Sequence, residues 1–210
     1  RGADVVGFEA FGIGNDLSAV GGETRLFRRL YREGAAYRKL IERSLELWQE
    51  SAQRLPGSFV QCGALSIVPR GSMYAYDLEA YAEEFGVAYE ALDPDEIATR
   101  FPQFAQAHGD IGYFDPDGGF VRTDLVVRDA ADRALDLGAT VIENPVRLIE
   151  RHGDGVVVHT ESGAWLFNRV IVAAGARTVQ ILPQLAAVAS PELQIMTWFQ
   201  ADDPELFRAG

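Results

Sequence analysis

Two fully apolar segments of strand length constrain the fold of this chain more than any other feature of its sequence. They are Val5-Val6-Gly7-Phe8, which ends at Glu9, and Val170-Ile171-Val172-Ala173, which ends at Ala174-Gly175. Apolar runs without alternation are typical of strands buried on both faces of a parallel sheet. Helical and glycine-punctuated segments lie between them. The sequence therefore predicts a mixed α/β fold, with a β-meander inserted late.

Hydrophobic periodicity and turn residues predict the remaining elements. A period of 3.6 residues from Glu23 to Leu55, interrupted at Gly34, predicts helices over that range. The other predicted helices are residues 77–85, 94–101, 124–137 and 177–185. The other predicted strands are residues 59–68, 111–115, 119–122, 140–143, 146–150, 156–160, 164–167 and 193–200.

Charge and apolar content limit the partners of this chain. Its net charge of −12 repels phosphate backbones, so nucleic acid is not expected as a partner. A small anion could still bind, but only through locally clustered arginines. The longest apolar run, Val170–Ala176, is far shorter than the roughly 20 residues that a membrane span needs. We therefore expect neither nucleic acid nor a membrane span.

Cys62 is the only cysteine, which excludes an internal disulfide framework and a cysteine-based zinc site. We therefore expect the protein to be cytoplasmic. We expect the side chain of Cys62 to lie in the hydrophobic core. The chain opens at Arg1 rather than at methionine, and we expect it to be incomplete at its start. No metal site is predicted, because the three histidines lack the spacing of metal ligands. They are His108, His152 and His159.

Acidic and basic side chains mark two candidate sites. Glu9 follows the first apolar strand, where a carboxylate can accept both ribose hydroxyls of an adenosine; a solvated strand end is the alternative. A glycine-rich loop from Ser18 leads toward Arg25 and Arg28, three residues apart and expected on one helix face. The guanidinium groups of such a pair can bind a carboxylate through paired hydrogen bonds. The alternative is a solvated basic face, because Arg29 and Arg32 are close.

These features fall within a longer pattern. It comprises Gly22-Glu23-Thr24-Arg25, Arg28, Tyr31, Glu33 and Gly34, with Leu45, Trp48, Cys62-Gly63-Ala64-Leu65, the turn from Phe114-Asp115-Pro116 to Gly119, and Gly138-Ala139. With these residues the chain resembles the FAD-dependent oxidoreductases of the D-amino-acid oxidase family over nearly its whole length. The resemblance is strongest to the branch of monomeric sarcosine oxidase and N-methyltryptophan oxidase.

The resemblance implies a set of FAD contacts. Glu9 matches the acidic ribose ligand, and Val146 matches a strand residue whose backbone meets the adenine. The segment from Ser18 to Arg25 matches the loop that wraps the diphosphate and the ring. The implied cofactor-binding residues are Glu9, Ser18, Gly21, Gly22, Thr24, Arg25, Val146, Ala174 and Gly175.

The resemblance also implies a substrate site and a reaction. Arg28 matches the arginine that holds the substrate carboxylate, Glu33 a carboxylate bordering the pocket, and Arg25 a residue against the isoalloxazine. The implied reaction is oxidation of the C–N bond of an amino acid, or of a secondary amine such as an N-methyl amino acid, giving an imine. Oxygen or a quinone would accept the electrons.

The resemblance further implies a Rossmann-like FAD-binding layer with an interleaved mixed-sheet substrate domain, truncated at both ends. We expect residues 1–55 and 120–190 in the FAD-binding domain, and residues 56–119 and 191–210 in the substrate-binding domain. Departures from the pattern are the missing Gly-x-Gly-x-x-Gly motif, the missing C-terminal third and a loop one residue longer before Arg25. Two alternatives stay open: an incomplete fragment without activity of its own, and a nicotinamide-dependent Rossmann enzyme.

Overall fold

A computed structural model describes residues 2–104 and 108–208. The strands, in chain order, are β1 (Val6–Glu9), β2 (Thr24–Phe27), β3 (Phe59–Val60), β4 (Ala64–Pro69), β5 (Glu90–Leu92), β6 (Asp110–Asp115), β7 (Gly119–Arg122), β8 (Thr140–Glu143), β9 (Val146–His152), β10 (Gly155–Thr160) and β11 (Gly163–Phe167). The α-helices are α1 (Arg38–Arg54), α2 (Met73–Phe85), α3 (Pro94–Arg100), α4 (Thr123–Asp136) and α5 (Thr178–Ile181). Short 3₁₀ helices span Ala35–Tyr37, Gly175–Arg177, Pro183–Ala187 and Pro204–Phe207.

These elements form two compact units, each built from separated stretches of the chain. The first unit contains Arg1–Glu23 and Thr123–Thr197, and the second contains Thr24–Arg122 and Trp198–Gly210. Residues 24–55, which we expected in the FAD-binding domain together with residues 1–23, group with the second unit instead. The physical reason is strand pairing, because β2 is antiparallel to β7 from Thr24↔Arg122 to Phe27↔Gly119.

The first unit combines a parallel strand pair with an antiparallel meander. β1 and β8 pair in parallel, with Glu9 opposite Glu143 at their carboxyl ends. β9, β10 and β11 form the meander that the glycine-containing turns predicted. Phe8 packs edge-on against two aromatic rings of β11, with its centroid 5.2 Å from Trp165 and 6.0 Å from Phe167.

The second unit contains two antiparallel sheets, ordered β2-β7-β3 and β4-β6-β5. Its hydrophobic core gathers side chains from the loop after β2, from α2 and the turn that follows it, and from β6. The buried members are Leu30, Ala75, Leu78, Tyr81, Ala82, Val87, Ile111 and Tyr113. Burial of a leucine of this kind contributes about 1.5–3 kcal/mol to the free energy of unfolding. The loop after β2 is therefore fixed to the core through Leu30.

Two predicted helix ends of the second unit are confirmed, the start of α3 and the end of α2, whereas α2 begins at Met73 rather than at the predicted residue 77. Asp93 caps α3, accepting from the N–H of Glu96 at 2.9 Å, while the Glu96 carboxylate accepts from the N–H of Asp93 at 2.9 Å. Pro94 occupies the first turn, where a missing N–H costs nothing. α2 ends at Gly86, whose φ of 63° is the left-handed conformation that glycine adopts without strain.

The predicted helix from Glu23 to Gly34 is wrong. Residues Thr24–Phe27 form β2, and α-helix begins only at Arg38, after the 3₁₀ turn Ala35–Tyr37. The four-residue spacing of Leu26 and Leu30 imitates a helical period, but these two residues lie in different environments. Leu26 is exposed, whereas Leu30 is buried in the core.

Two predicted strands and one predicted core residue are also wrong. In the described part of the chain, residues 170–173 and 193–200 form no strand, and Ile171 and Leu193 are 91% and 90% exposed. An apolar run becomes a strand only when a neighbouring strand supplies hydrogen bonds, and these segments have none. Cys62 is exposed rather than in the core. The helix expected from 177 is confirmed in outline, as α5 flanked by 3₁₀ turns.

Candidate functional site

A cleft of about 410 Å³ lies in the second unit, between the end of β2 and one face of α1. Its lining is mainly apolar and aromatic. The lining residues are Leu26, Phe27, Arg28, Tyr31, Tyr37, Leu40, Ile41, Ser44 and Trp48. Such a lining suits a small organic ligand with an apolar body. Arg28 is the one charged side chain among these lining residues.

Arg28 carries an unsatisfied hydrogen-bond donor in this cleft. Its Nε is buried, and no described residue accepts a hydrogen bond from it. The guanidinium carbon lies 5.2 Å from the centre of the Tyr31 ring, and the nearest carboxylate, on Glu33, is 3.9 Å from Nη2. A buried donor without a partner costs free energy. This geometry therefore favours an additional acceptor at Arg28.

The neighbouring arginines are used differently. Arg29 donates to a carboxylate oxygen of Asp117. The Arg32 guanidinium lies over the Tyr74 ring, 4.7 Å from its centre, and its Nε is 3.9 Å from Glu33. A uniformly solvated basic face, our alternative interpretation, does not describe this segment. Arg28 is the member of the group that lines the cleft.

Arg25 and Arg28 do not share a helix face, contrary to our expectation. Arg25 lies within β2, and its Nη1 donates to the carbonyl of Thr24 at 2.7 Å. Arg28 is the first residue after the strand. Side chains alternate along a strand, so an odd spacing of three residues separates them rather than aligning them. Thr24, Arg25, Arg28 and Glu33 all lie in the second unit.

The helical wall of the cleft was missed at the sequence level. Tyr37, Leu40, Ile41 and Trp48 recur as a stripe at helical spacing with Ser44 among them, and the amphipathic pattern from Tyr37 to Leu55 by itself favours a core helix. The stripe instead lines the cleft, and Tyr37 and Leu40 are exposed. The serine within the stripe was the available signal, because a core face seldom includes a hydroxyl without a buried partner.

In the first unit, Glu9 stands at the carboxyl end of β1. Its Oε1 accepts from the N–H groups of Ala10, at 2.8 Å, and Phe11, at 3.1 Å. No described group donates to its Oε2. Glu143 ends the neighbouring strand in register with Glu9. Ligands of α/β proteins bind at this edge of a parallel sheet, so the free oxygen is available to a hydroxyl group.

Several other predicted cofactor residues lie in the same unit as Glu9. Gly175 has a φ of 53°, and a Cβ at that position would meet no atom within 4 Å. Ala174 precedes it, and Val146 begins β9 shortly after Glu143. The Arg177 guanidinium lies 4.3 Å from the centre of the Phe11 ring. This contact brings the turn after Glu9 next to the turn at Gly175.

The glycine-rich loop before β2 is folded tightly on itself. A Cβ at Gly21 would lie 2.6 Å from the Asp16 Cα, so the loop itself requires glycine there. The N–H of Gly22 donates to Asp16 Oδ1 at 3.2 Å, and the hydroxyl of Ser18 donates to the Asn15 carbonyl at 3.3 Å. Glu23 has a φ of 66°, a conformation that costs a non-glycine residue of order 1 kcal/mol or more.

No helix in the described part of the chain combines the length and hydrophobicity that crossing a membrane requires. Residues 2–104 and 108–208 also contain no group of three or more histidine, cysteine or acidic side chains placed to hold a metal ion. The residues described above therefore carry the candidate chemistry of this chain.

Parallel and antiparallel sheets together with helices define a mixed α/β fold, and an acidic residue ends one of its parallel strands, as in nucleotide-binding α/β proteins. The family model described as FAD dependent oxidoreductase matches residues 1–203. The chain belongs to this FAD dependent oxidoreductase family. The predicted family is thus confirmed, and it replaces the nicotinamide-dependent alternative.

Individual relatives agree with this family. An N-methyl-L-tryptophan oxidase of Yersinia pestis (strain Pestoides F) is 31% identical over 183 residues, covering 86% of this chain and 49% of the relative. The open form of NikD, an unusual amino acid oxidase essential for nikkomycin biosynthesis, matches with a TM-score of 0.78 and 24% identity, over 88% of this chain and 48% of that chain. Glycine oxidase from Geobacillus kaustophilus matches with a TM-score of 0.66 and 20% identity, over 87% of this chain and 52% of that chain. The chain spans about half the length of the curated relatives it matches.

The described residues of the first unit fit the adenosine end of FAD. Glu9 has a carboxylate oxygen open to a ribose hydroxyl, and Gly175 presents backbone without a side chain next to open space. Val146 begins a strand beside the same edge. These residues would hold the cofactor at this edge of the sheet.

Proposed function

We propose that the whole protein oxidises the C–N bond of an amino acid or N-methyl amino acid, with Arg28 binding the substrate carboxylate. The observation that carries this proposal is the buried Nε of Arg28, which has no acceptor among the described residues although the Arg28 side chain lines the cleft. A guanidinium offers paired donors that match a carboxylate. An amino acid supplies that carboxylate and an apolar body for the remaining surface.

FAD, when bound, supplies the acceptor for the hydride equivalent that leaves the substrate. The protein's own contribution is orientation. Arg28 fixes the carboxylate end, and the ring of Tyr31 limits where the rest of the ligand can lie. We propose that Thr24 and Arg25 face the flavin ring and that Glu33 borders the substrate. The product imine is hydrolysed by water, and oxygen or a quinone takes up the electrons.

The relatives support the substrate class. N-methyl-L-tryptophan oxidase, glycine oxidase and NikD are all oxidases of amino acids by their names, and they share the fold or the sequence of this chain. Under this proposal Glu9, Ser18, Gly21, Gly22, Val146, Ala174 and Gly175 contribute to the cofactor site. A cytoplasmic location is part of the proposal, because a chain with one cysteine needs no oxidising compartment.

Replacement of Arg28 tests the proposal. Arg28→Ala should lower kcat/KM of the whole protein for its amino acid by about 30-fold to several thousand-fold, because losing a desolvated charge pair costs about 2–5 kcal/mol. Arg28→Lys keeps the charge but loses the paired donors, so its effect should be intermediate. Flavin content, measured by absorbance, should stay close to that of the unaltered protein.

Arg32→Ala is the matched control. It removes the same charge from the same loop, but Arg32 lies outside the cleft lining and is nearly half exposed. Its kinetics should change less than threefold, as expected for an exposed charge. If Arg28→Ala loses flavin yet binds the amino acid normally in the remaining holoenzyme, Arg28 does not bind the substrate carboxylate.

A further inference from the structure

A buried carboxylate holds the backbone directly after Arg28. Asp115 ends β6 and is 2% exposed. Its Oδ2 accepts from the N–H of Arg29 at 2.5 Å and from the N–H of Leu30 at 2.9 Å. Its Oδ1 accepts from the N–H of Asp117 at 3.0 Å. Both oxygens thus accept from backbone N–H groups. The two N–H groups that donate to Oδ2 belong to the loop after β2, directly after Arg28.

The bond from the Arg29 N–H restricts the backbone of Arg28 itself. The N–H of Arg29 belongs to the peptide unit that starts at the Arg28 carbonyl carbon. Fixing the direction of that N–H therefore fixes the ψ angle of Arg28. This angle sets the direction in which the Arg28 side chain leaves the backbone, relative to the loop that follows. Hydrogen bonds to a charged acceptor are shorter and about twice as strong as neutral ones. Asp115 can consequently hold this angle firmly.

Two further contacts anchor the same loop. The guanidinium of Arg29 donates to Asp117, in the turn that starts at Asp115. The side chain of Leu30 is buried in the core cluster. The turn leads into β7, which pairs with β2, and β2 leads back to Arg28. The backbone at Arg28 is thus held from both sides. The pairing of β2 with β7 fixes the segment before it, and the hydrogen bonds to Asp115 and Asp117 fix the segment after it.

We propose that Asp115 is a positioning residue for substrate binding, acting through the Arg28 backbone; this inference rests on the proposed function of Arg28. A carboxylate must meet the guanidinium fork with correct geometry, and small misplacements reduce the benefit of orientation severely. Asp115 touches no substrate. Its effect is confined to ligands that use the Arg28 fork, which separates positioning from general structural support.

The test is a double-mutant cycle read by equilibrium binding. Isothermal titration calorimetry of the whole, flavin-loaded protein uses phenylacetate as a carboxylate probe and phenylacetamide as its uncharged counterpart. Asp115→Asn keeps the shape but turns one acceptor into a donor facing backbone N–H groups. We expect phenylacetate to bind about tenfold more weakly and phenylacetamide to bind unchanged. In the Arg28→Ala background, Asp115→Asn should have no further effect.

Two control variants keep the proposal falsifiable. Glu79→Gln perturbs the hydrogen bond from Tyr113, which lies on the same strand as Asp115 but outside the loop, and it should leave phenylacetate binding unchanged. If Asp115→Asn does not fold, Asp117→Asn replaces it, because it weakens the Arg29 anchor and otherwise touches only the exposed hydrogen bond from Gln61 at 3.3 Å. It should weaken phenylacetate binding about threefold, again without affecting phenylacetamide.

The outcomes separate two kinds of failure. Equal weakening of both probes, or effects of Asp115→Asn and Arg28→Ala that simply add, would overturn the positioning role and leave the function of Arg28 standing. Phenylacetate binding that survives Arg28→Ala, or that is absent from the unaltered protein, would overturn the carboxylate role of Arg28 and the positioning role with it.

Discussion

At the scale of single residues, Tyr113 shows how burial sets a protonation state. Its side chain is 1% exposed, and its hydroxyl donates to Glu79 Oε1 at 2.5 Å. Burial, followed by the hydrogen bond and the charge of Glu79, raises the pKa of Tyr113 well above its ordinary value. The neutral phenol is therefore the form that the folded state selects.

This shift predicts loss of stability in alkaline solution. Below about pH 10 the phenol is protonated in both the folded and the unfolded states, so it adds no pH dependence. Above that pH the unfolded state releases the proton first. The free energy of unfolding should then fall as pH rises toward the higher folded-state pKa. Urea unfolding of Tyr113→Phe should show a shallower decline between roughly pH 10 and 11.5 than the unaltered chain.

Tyr76→Phe is the appropriate control, because Tyr76 lies on α2 and is 64% exposed. It should reproduce the decline of the unaltered chain. At pH 8, Tyr113→Phe should also lower the free energy of unfolding by about 1 kcal/mol, through loss of its hydrogen bond. Identical slopes for Tyr113→Phe and the unaltered chain would contradict the burial of a high-pKa phenol.

At the scale of elements, local signals predicted the structure well where the chain itself determines it. The capping box of α3 and the glycine end of α2 depend on residues within one or two turns. The meander follows from glycine turns between short apolar segments. These features need no distant partner, so the sequence was sufficient to locate them.

The wrong predictions concern segments whose secondary structure depends on a partner that is distant in the sequence. β2 is four residues long and pairs with β7, far along the chain, so its own alternation was too short to outweigh the apparent helical period. Residues 170–173 have an ideal composition for a buried strand, yet composition cannot supply a neighbouring strand. The cleft shows the same limit, because a helical stripe looks alike whether it meets a core or a ligand.

The capping box of α3 gives an element-scale prediction. Asp93→Ala removes the acceptor of the Glu96 N–H and should lower the free energy of unfolding by about 1 kcal/mol. Asp95→Ala removes the same charge from the same helical turn without removing the cap, so it should cost only a few tenths of a kcal/mol. Urea unfolding compares the two. Equal losses would mean that charge, not the cap, stabilises this end.

At the scale of the whole molecule, burial is unevenly distributed between the two units. The core cluster, from Leu30 to Tyr113, lies entirely within the second unit. In the described part of the first unit, Val158 is the buried hydrophobic side chain. Local opening costs least where few apolar groups are buried. The two units should therefore differ in local stability.

Hydrogen exchange of the 210-residue chain, followed by mass spectrometry, measures this difference. Amides of β4 and β6 should exchange at least about tenfold more slowly than amides of β1 and β8, after correction for intrinsic rates. The meander around Val158 should be intermediate. Equal protection of β1 and β6 would show that both units open in a single cooperative event.

The division of the first unit between two distant stretches has a consequence for synthesis on the ribosome. The described sheets of the second unit use only residues between 24 and 122, so they can close as soon as that stretch has emerged. β1 is synthesised before that stretch, but its partner β8 begins only at Thr140, which pairs with Val6. The β1 strand must therefore wait without its β8 partner while residues 24–122 fold. During that interval a nascent chain is most exposed to wrong pairing, and chaperone contact would be most valuable there.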